Sequence, residues 1–546
     1  MLTRGLPIVG IAALAFVGGV VLSGDPGASG RQLVARYVHD WTQHQVPQMY
    51  GLLDAASRRA ATEPQFAAAL DRTATTATLI SLRATRVFNL KGNRVAVRML
   101  IMTRLWGPLR ETLTVPLTGS GSSARVHLSR EVLFPGLRPG ERLSRTVTLP
   151  PRGTLLASDG EPLAEGPGRT SPIPDVAGQI VGTVGAIPST AAGRYAAEGY
   201  PPDAMVGLDG LEHIFEGRLV GTRGGRLLAG HRTLASAAAV QAPPLKTTIS
   251  PVLERAAVTA MGGHYAGIAV MNPRTGALLA LAGIAFSALQ PPGSTMKIVT
   301  ASGALEAGIT KLSTVYPIQT ATALSGVTLQ NANGESCGGT LLNAFAVSCN
   351  SVFAPLGAKL GAARLVNIAQ RFGFNQPSSI PGAAESTIPP ANSIGDDLAV
   401  GSSAIGQGLV QTTPLQMADV AATIAMGGRR PIPTLLAHQR PRFVRVISPR
   451  VAHEVQKMMV AVVQFGTGVA AQIPGVTVAG KTGTAELKNT TAPGQSGAQN
   501  TDAWFVGYAP VGHPRYVAGA LFPNQGAGGS TAAPPVHDVL AAALGK

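Results

Sequence analysis

The sequence predicts an α+β chain of several domains that follow an apolar N-terminal segment. Its 546 residues, 45% hydrophobic and 13% charged, are enough for two to four domains with cores of their own. Residues 5–23 carry no charge, and the apolar spacing changes from helical to alternating near residue 76. Strand patterns stand at both ends of the segment after residue 245, with apolar helices between them. These three observations set the order of elements that we expect.

The segment 5–23 predicts a transmembrane anchor within residues 1–25. About 20 apolar residues cross a hydrocarbon core, whereas the apolar region of a signal peptide has about 7–15. A cleaved secretory signal is the alternative, and no cysteine follows that would support a lipoprotein anchor. Both interpretations place the chain from residue 25 onward outside the cytoplasm. We therefore expect a single-pass protein of the cell membrane with its domains extracytoplasmic.

A small α+β domain is predicted over residues 26–145. A helical segment from about 31 to 75 precedes the segments 94–105 and 110–117, which alternate as antiparallel strands do. The Trp-Gly-Pro sequence at 106–108 provides the turn between them.

Residues 146–244 are rich in Gly and Pro, with few charges and short strand patterns such as 178–185. They predict an elongated pedestal. The domain at 245–546 shows strands at 266–283, 503–509 and 516–522. Because strands stand at both of its ends, we expect one sheet assembled from distant segments, with helices packed on it.

The charge balance excludes some partners. The chain has 44 Lys and Arg against 28 Asp and Glu, a net charge of +16. Such an excess suits anionic lipid headgroups or an acidic wall polymer as well as nucleic acid. No basic run is interleaved with aromatic residues, which make up only 5% of the chain. We therefore expect no nucleic-acid partner.

Three short motifs occur once each, in order, in the last domain: Ser-x-x-Lys at 294–297, Ser-x-Asn at 348–350 and Lys-Thr-Gly-Thr at 481–484. A single Ser-x-x-Lys is weak evidence. Three in this order, each in a fitting local context, indicate a nucleophilic serine site much more strongly.

Ser294 and Lys297 form the predicted catalytic pair. A Pro-Pro-Gly turn at 291–293 precedes them, and Ser294 opens an apolar helix on which Lys297 lies one turn further on the same face. A serine hydroxyl is a weak nucleophile until a base takes its proton, and a desolvated lysine can be that base. A plain helix N-cap is the alternative role for Ser294.

Ser348 and Asn350 follow an apolar run, and alternate loop residues can point the same way. We expect Ser348 to relay a proton to the leaving group and Asn350 to hold a substrate amide. A turn between two helices is the alternative, since Ser and Asn are common there.

Lys481 to Thr484 follow a strand-like segment. Lys481 is expected to act in catalysis, and with the hydroxyls of Thr482 and Thr484 it can bind a carboxylate. Gly483 would leave room for a ligand along an edge strand. The backbone N–H groups of Ser294 and Thr484 could form an oxyanion hole. A plain strand end is the alternative.

Together these motifs resemble those of the penicillin-binding protein and serine β-lactamase superfamily, and within it the class B penicillin-binding proteins. The resemblance extends to Gly-Gln-Gly at 406–408, Thr-Pro-Leu-Gln-Met-Ala at 413–418 and Ala-Trp-Phe-Val-Gly at 503–507. Upstream, 151–164 and 207–221 resemble the family's pedestal, and 30–140 resembles the nuclear-transport-factor-like domain of MecA-type proteins.

The resemblance implies a transpeptidase domain with helices on both faces of its sheet. It also implies a serine D,D-transpeptidase that cross-links peptidoglycan stem peptides through an acyl-enzyme and is inhibited by β-lactams. Other cell-wall synthesis or division proteins are the implied protein partners. One departure concerns the pedestal, where Ala157 and Ser158 replace the family's usual Asp-Arg pair.

Other functions remain open. A D,D-carboxypeptidase would keep the three motifs and let water take the acyl group. A β-lactamase would need a glutamate that activates water, and Glu385 lies at a comparable distance after Asn350, although in a Pro-flanked turn. A β-lactam sensor and a silent division-complex scaffold are the non-enzymatic alternatives. The intact Ser294, Lys297 and Lys481 count against a silent scaffold.

The two cysteines, Cys337 and Cys349, cannot make a four-cysteine metal site, and no nearby histidine pair completes a mixed one. We expect neither a metal nor a cofactor. In an oxidising compartment the cysteines could form a disulfide that braces the catalytic loop, or they could be two small buried residues. Finally, the polar segment 485–501 predicts a mobile loop beside the site.

Overall fold

The computed structural model describes residues 26–90, 93–486 and 500–546. The predicted anchor at 5–23 and most of the polar segment 485–501 lie outside the described residues. In the part that is described, no single helix is long and apolar enough to cross a membrane, and one pair passes that test only jointly, with a bend of 98°.

The α-helices of the described residues are, in chain order, α1 (Pro26–Thr42), α2 (Val46–Gly51), α3 (Ala55–Ala60), α4 (Glu63–Ala77), α5 (Pro174–Ile180), α6 (Ala192–Glu198), α7 (Gly210–Ile214), α8 (Glu216–Leu219), α9 (Pro251–Ala260), α10 (Lys297–Glu306), α11 (Leu341–Ala346), α12 (Asn350–Leu360), α13 (Ala362–Arg371), α14 (Asp397–Ala404), α15 (Pro414–Ala425), α16 (Pro449–Gln464), α17 (Gly528–Thr531) and α18 (Ala533–Leu544).

The β-strands are β1 (Leu79–Leu90), β2 (Arg94–Thr103), β3 (Gly107–Thr118), β4 (Arg125–Val126), β5 (Leu143–Thr148), β6 (Leu155–Leu156), β7 (Pro162–Ala164), β8 (Val184–Ala186), β9 (Met205–Gly207), β10 (Gly224–Ala229), β11 (Arg232–Ala237), β12 (Leu245–Lys246), β13 (Gly267–Asn272), β14 (Ala277–Gly283), β15 (Val315–Gln319), β16 (Ala321–Leu324), β17 (Val327–Gln330), β18 (Cys337–Thr340), β19 (Arg429–Pro431), β20 (Phe443–Arg445), β21 (Ala479–Glu486), β22 (Thr501–Ala509) and β23 (Tyr516–Phe522).

The chain forms two compact units. The first contains the described residues up to Pro150 with Ile187–Ala204 and Thr222–Val240, and the second contains the rest. Residues of the predicted pedestal, 146–244, are therefore divided between the two units. Within that segment the strand expected at 178–185 is wrong for its first part. Pro174 stands in the first turn of α5, which continues to Ile180, and a proline there favours a helix.

The first unit is built as helices followed by a sheet. Helices α1 to α4 precede the antiparallel sheet β1-β2-β3-β4, and β5 joins a second sheet with β10 and β11. The predicted strand pair is confirmed, with Thr103 opposite Gly107 at the turn. A reciprocal capping box between Thr62 and Gln65 begins α4. Tyr37 and other buried apolar side chains of the helices and of β2 and β3 form one core.

The second unit is organised around an antiparallel sheet of five strands in the order β14-β13-β23-β22-β21. The strands predicted at 266–283, 503–509 and 516–522 are confirmed. Along β13, Ala269 and Met271 enter one core whereas Ile268 and Val270 enter another. This alternation shows that both faces of the sheet are covered. Helix α15 packs on the first face, and α9 and α18 pack on the second.

Ala157 and Ser158 carry no charge, and an ion network lies elsewhere in the same part of the chain. Arg152 contacts Glu212 at 2.6 Å and Glu216 at 2.7 Å, and Arg169 reaches Glu212 at 2.5 Å. The two carboxylates are almost completely buried. Ala157 itself is fully buried and belongs to the larger core of the second unit. The charges that hold this part of the chain therefore lie outside the position where the resemblance locates them.

Glu254 on α9 is a buried carboxyl group with one partner. Its Oε2 accepts the N–H of Leu281 at 2.8 Å, and Oε1 has no hydrogen-bond partner in the described structure. Burial raises its pKa to about 7. Because the folded pKa is raised, the contribution of this group to stability is complete below pH 4.5 and is lost as the pH rises through 7.

Glu254→Gln should therefore stabilise the protein at alkaline pH. At pH 8 we expect a gain on the order of 1–3 kcal/mol in the free energy of unfolding, since one pKa unit corresponds to about 1.4 kcal/mol. At pH 4.5 the two proteins should be equally stable. Chemical denaturation at both pH values measures this, with the exposed Glu161→Gln as control. An equal gain at both pH values would contradict it.

Candidate active site

Ser294 lies in a 3₁₀ turn, Gly293–Met296, and α10 begins only at Lys297. The prediction that Ser294 begins the α-helix is therefore wrong by one turn. A 3₁₀ helix, which is wound more tightly, often forms the first turn of an α-helix. Gly293 has φ +51°, and a Cβ there would lie 2.7 Å from the Thr484 carbonyl oxygen. Its N–H bonds the Gly406 carbonyl at 2.9 Å. Backbone contacts thus fix the position of the serine.

Lys297 is fully buried and points at the Ser-x-Asn loop. Its Nζ lies 2.5 Å from the Ser348 carbonyl, 2.7 Å from Asn350 Oδ1 and 3.3 Å from Ser348 Oγ. In the described residues the Ser294 hydroxyl makes no hydrogen bond. The structure thus brings Lys297 to Ser348 and Asn350, with Ser294 three residues before it on the same helical segment.

Ser348 and Asn350 belong to the connection between α11 and α12. Ser348 has φ +63°, a conformation that non-glycine residues rarely adopt and that a constrained loop can hold. Cys349 is the N-cap of α12, and Asn350 is its first residue. The Asn350 Nδ2 donates to the Gln330 carbonyl at 3.2 Å. Both ends of the Asn350 amide therefore have a partner, and the second N–H of Nδ2 remains for a ligand.

Lys481 stands on β21, which is the edge strand of the sheet, as predicted. Its buried Nζ lies 2.8 Å from Ser348 Oγ and 3.0 Å from the Thr482 carbonyl. The Thr482 hydroxyl lies 3.4 Å from the same Nζ and 2.5 Å from the Thr467 hydroxyl. Ser348 Oγ therefore lies between two lysine amines.

Gly483 and Thr484 border the turn that carries Ser294, Gly293–Met296, which we call the nucleophile turn. A Cβ on Gly483 would lie 2.7 Å from the Pro292 carbonyl, so the missing side chain here admits the nucleophile turn. In an antiparallel strand the N–H and C=O of one residue point to the same side. Since the Thr484 carbonyl lies against Gly293, its N–H also faces the turn that carries Ser294. The Thr484 hydroxyl accepts the N–H of Gly528 at 3.3 Å.

Burial determines the protonation of both lysines. Desolvation, and then the positive charge of Lys481, lower the pKa of Lys297 well below its usual range. Desolvation lowers the pKa of Lys481 to about 7. The rings of Phe353 and Phe345 lie 5.7 and 5.6 Å from the two Nζ atoms and help to exclude water. The lowered pKa favours the uncharged form of Lys297, in which the amine can accept a proton.

Cys337 and Cys349 form a disulfide with a Cα–Cα distance of 5.7 Å. Cys337 begins β18, and Cys349 stands between Ser348 and Asn350, so the bond ties the Ser-x-Asn loop to a strand. Among the residues that the structure describes, no cluster of three His, Cys, Asp or Glu side chains could hold a metal ion.

Sequence reasoning missed several residues at the site. Thr467 precedes the sheet strand by a loop and contacts Thr482, and the rings of Phe345 and Phe353 cover the lysines. Asn331 bonds the backbone just after the Ser-x-Asn motif. The two phenylalanines were visible only as members of apolar runs next to the motif, and nothing in the local sequence singles out Thr467 or Asn331.

Two family models match the chain. The penicillin binding protein transpeptidase domain matches residues 266–541, and the penicillin-binding protein dimerisation domain matches residues 163–232. The peptidoglycan D,D-transpeptidase PbpA of Mycolicibacterium smegmatis is 39% identical over 290 residues, which are 48% of this chain and 56% of the relative.

Solved structures of a D,D-transpeptidase domain and of a penicillin-binding protein are also similar to this chain. The D,D-transpeptidase domain of a peptidoglycan glycosyltransferase from Eggerthella lenta has a TM-score of 0.59 and 28% identity, covering 72% of this chain and 98% of that one. The imipenem acyl-enzyme complex of penicillin-binding protein A from M. tuberculosis has a TM-score of 0.58 and 26% identity, with coverages of 72% and 99%.

The first family model covers just over half of the chain, and with the three motifs it defines a penicillin-binding protein transpeptidase domain. The chain belongs to the penicillin-binding protein family, and the dimerisation model ahead of the transpeptidase domain identifies it as a class B member. It spans about half the length of the curated relatives it matches, 56% for the PbpA of M. smegmatis.

Proposed function

We propose that this protein is a serine-type D-Ala-D-Ala transpeptidase that cross-links peptidoglycan stem peptides and is acylated by β-lactams. One observation carries the proposal: Ser348 Oγ lies between the buried amines of Lys297, at 3.3 Å, and Lys481, at 2.8 Å. Lys297 follows the proposed nucleophile, Ser294, by three residues in the sequence. The two lysines and Ser348 thus provide a route for a proton from the nucleophile to a leaving group.

Acylation begins at Ser294. Neutral Lys297 takes the hydroxyl proton while Ser294 Oγ attacks the carbonyl carbon of the penultimate D-Ala. A neutral amine has two N–H donors and one lone pair. The acceptors at 2.5 and 2.7 Å, the Ser348 carbonyl and Asn350 Oδ1, can take the two N–H groups. The lone pair then remains for the serine proton.

The tetrahedral intermediate needs donors for its oxyanion. The N–H groups of Ser294 and Thr484 are proposed for this role, supported by the close packing of Gly293 against the Thr484 carbonyl. When the C–N bond breaks, Ser348 passes a proton to the D-Ala amine and is reprotonated from Lys297 or Lys481. Asn350 and the hydroxyls of Thr482 and Thr484 position the donor peptide.

The second half reaction reverses these proton transfers. The amino group of an acceptor stem peptide attacks the acyl carbonyl, loses a proton to the same amines, and forms the cross-link as Ser294 is released. If water took the place of this amine, the product would be that of a D,D-carboxypeptidase. The relatives named as D,D-transpeptidases support the amine acceptor.

A β-lactamase is less well supported. The Glu385 side chain, which the sequence offered as a water-activating base, is exposed in the segment between α13 and α14. A base for rapid deacylation needs to hold water at the acyl carbonyl. A lasting β-lactam adduct is therefore the expected state.

The remaining proposals concern the whole chain. We propose an anchor at residues 1–25, a nuclear-transport-factor-like domain at 26–145, a pedestal at 146–244 and the transpeptidase domain at 245–546. The uncharged segment 5–23 and the net charge of +16 support a membrane position with the catalytic domain extracytoplasmic. A mature N-terminus near residues 24–28 on membrane-purified protein would contradict the anchor. Cell-wall synthesis or division proteins are the proposed partners.

Labelling with a fluorescent penicillin tests the function. The wild type should form a stable adduct, and Ser294→Ala should form none, because the acyl bond has no oxygen to form on. Ser302→Ala removes a hydroxyl on the same helix that donates to the Ile298 carbonyl, and this variant should label normally. Rapid turnover of the penicillin without an adduct would favour the β-lactamase, and absence of both would refute the proposed chemistry.

A further inference from the structure

Helix α12 begins at the catalytic loop without a cap of its own. The side chain of its N-cap residue, Cys349, accepts no backbone N–H of the first turn. The first N–H groups of a helix lack partners within that helix and need one from elsewhere. Here Asn331 Oδ1 accepts the N–H of Ser351 at 2.8 Å, from twenty residues earlier in the chain.

The rest of the Asn331 side chain is also occupied. Its Nδ2 donates to the Gln319 carbonyl at 2.8 Å and to the Glu335 carbonyl at 2.9 Å. Asn331 is 4% exposed, so these hydrogen bonds are shielded from water. Gln319 ends β15 and Glu335 precedes β18, which pair with each other. One amide thus joins a two-stranded sheet to the start of α12.

The residues on both sides of this junction have neighbours that contact the active site. Asn350, directly before Ser351, accepts from Lys297 Nζ at 2.7 Å. The residue before Asn331, Gln330, accepts from the other end of the Asn350 amide at 3.2 Å. The disulfide from Cys349 to Cys337 holds the same loop to β18. Asn331 therefore fixes the loop on the side of α12, and the disulfide fixes it on the side of Ser348.

We propose that Asn331 is a positioning residue of the proposed transpeptidase: its amide holds the start of α12 so that Ser348 and Asn350 meet Lys297. The inference rests on the proposed function of the site. Asn331 touches no reacting atom in this role. Its loss should leave Ser294 in place and displace the loop that Lys297 contacts, which slows the transfer of the serine proton.

The test compares Asn331→Ala with Asn375→Ala. Asn375 is a matched control because its half-buried amide also bridges backbone, donating to the Ile388 carbonyl at 2.8 Å and accepting its N–H at 3.0 Å, outside the site. With a fluorescent penicillin, we expect acylation up to about 100-fold slower in Asn331→Ala, the cost that a misplacement of about 1 Å in a catalytic group can reach. The control should acylate at the wild-type rate.

A pH profile separates positioning from general damage. Lys297 faces one charged group, Lys481 on β21, and the neutral Ser348 and Asn350 from the loop. If the loop loosens, water reaches Lys297 and its lowered pKa rises. The acid limb of the acylation rate should then move to higher pH in Asn331→Ala and remain in place in Asn375→Ala.

The outcomes distinguish a failure of the proposed function from a failure of the positioning role. A wild type that forms no adduct refutes the proposed function. A wild type that labels, with Asn331→Ala acylating at the rate of Asn375→Ala and with the same pH profile, overturns the positioning role. If the alanine variant does not fold, Asn331→Asp is compared with Asn375→Asp. The aspartate keeps the shape and the acceptor for Ser351 but loses both donors, and slower acylation than in its control is again expected.

Discussion

Lys297→Arg should abolish acylation although it keeps a long basic side chain at the position. A guanidinium stays protonated at any pH the protein tolerates, so it cannot take the proton of Ser294. Loss of a general base costs about 10²–10⁴-fold in rate, and we expect the upper part of that range. The larger side chain must also fit a site where Lys297 is fully buried against Phe353. The second-order rate constant for a fluorescent penicillin measures the effect.

The control for this change is Lys359→Arg. Lys359 is exposed near the end of α12, so the same exchange of side chains occurs outside the site. It should acylate as the wild type does. Acylation of Lys297→Arg within about threefold of the wild type would contradict a base role for Lys297, because general-base effects are at least about 10²-fold. A folded state of both variants is verified by their thermal unfolding.

Lys481→Gln should slow acylation by about 10²–10³-fold, since it removes the donor to Ser348 Oγ at 2.8 Å and a cation of the site. It should also change the pH dependence. In the wild type, charged Lys481 lowers the pKa of Lys297. Without it the pKa of Lys297 rises, a smaller fraction is neutral at a given pH, and the acid limb moves to higher pH.

Acylation rates measured from pH 5 to 9 test this second effect, with Lys359→Gln as the matched loss of one charge at an exposed site. An acid limb that stays in place, or that moves to lower pH, would show that Lys481 does not act on the base. A lowered rate with an unchanged limb would leave Lys481 with a binding role only.

The sequence predicted the elements that local patterns determine. The strand pair β2 and β3 follows from alternation around a Trp-Gly-Pro turn, and the central strands follow from apolar runs. The failure at 178–185 has a local cause as well. Pro174 initiates a helix whose pattern is short enough to be mistaken for a strand.

The candidate site was predictable only in part. Ser294, Lys297 and Lys481 were predicted as site residues because each lies in a short motif. Asn331 and Thr467 reach the site through contacts between segments that are distant in sequence, so no spacing rule identifies them. Gly483 also has a packing role beside the predicted room for a ligand. Its lack of a side chain admits the Pro292 carbonyl, a neighbour that only the folded chain provides.

The close packing of glycines around the nucleophile constrains how this protein can evolve. A methyl group at Gly293, Gly406 or Gly483 would lie 2.7, 2.0 or 2.7 Å from a backbone oxygen of another segment. Backbone cannot yield there without separating Ser294 from the strand that carries Lys481. Substitutions that weaken the proposed acylation by β-lactams and keep the fold are therefore not expected at these three positions. We expect them instead in side chains that line the site or hold its loop, as Asn331 does, where a substitution leaves the turn that carries Ser294 in place.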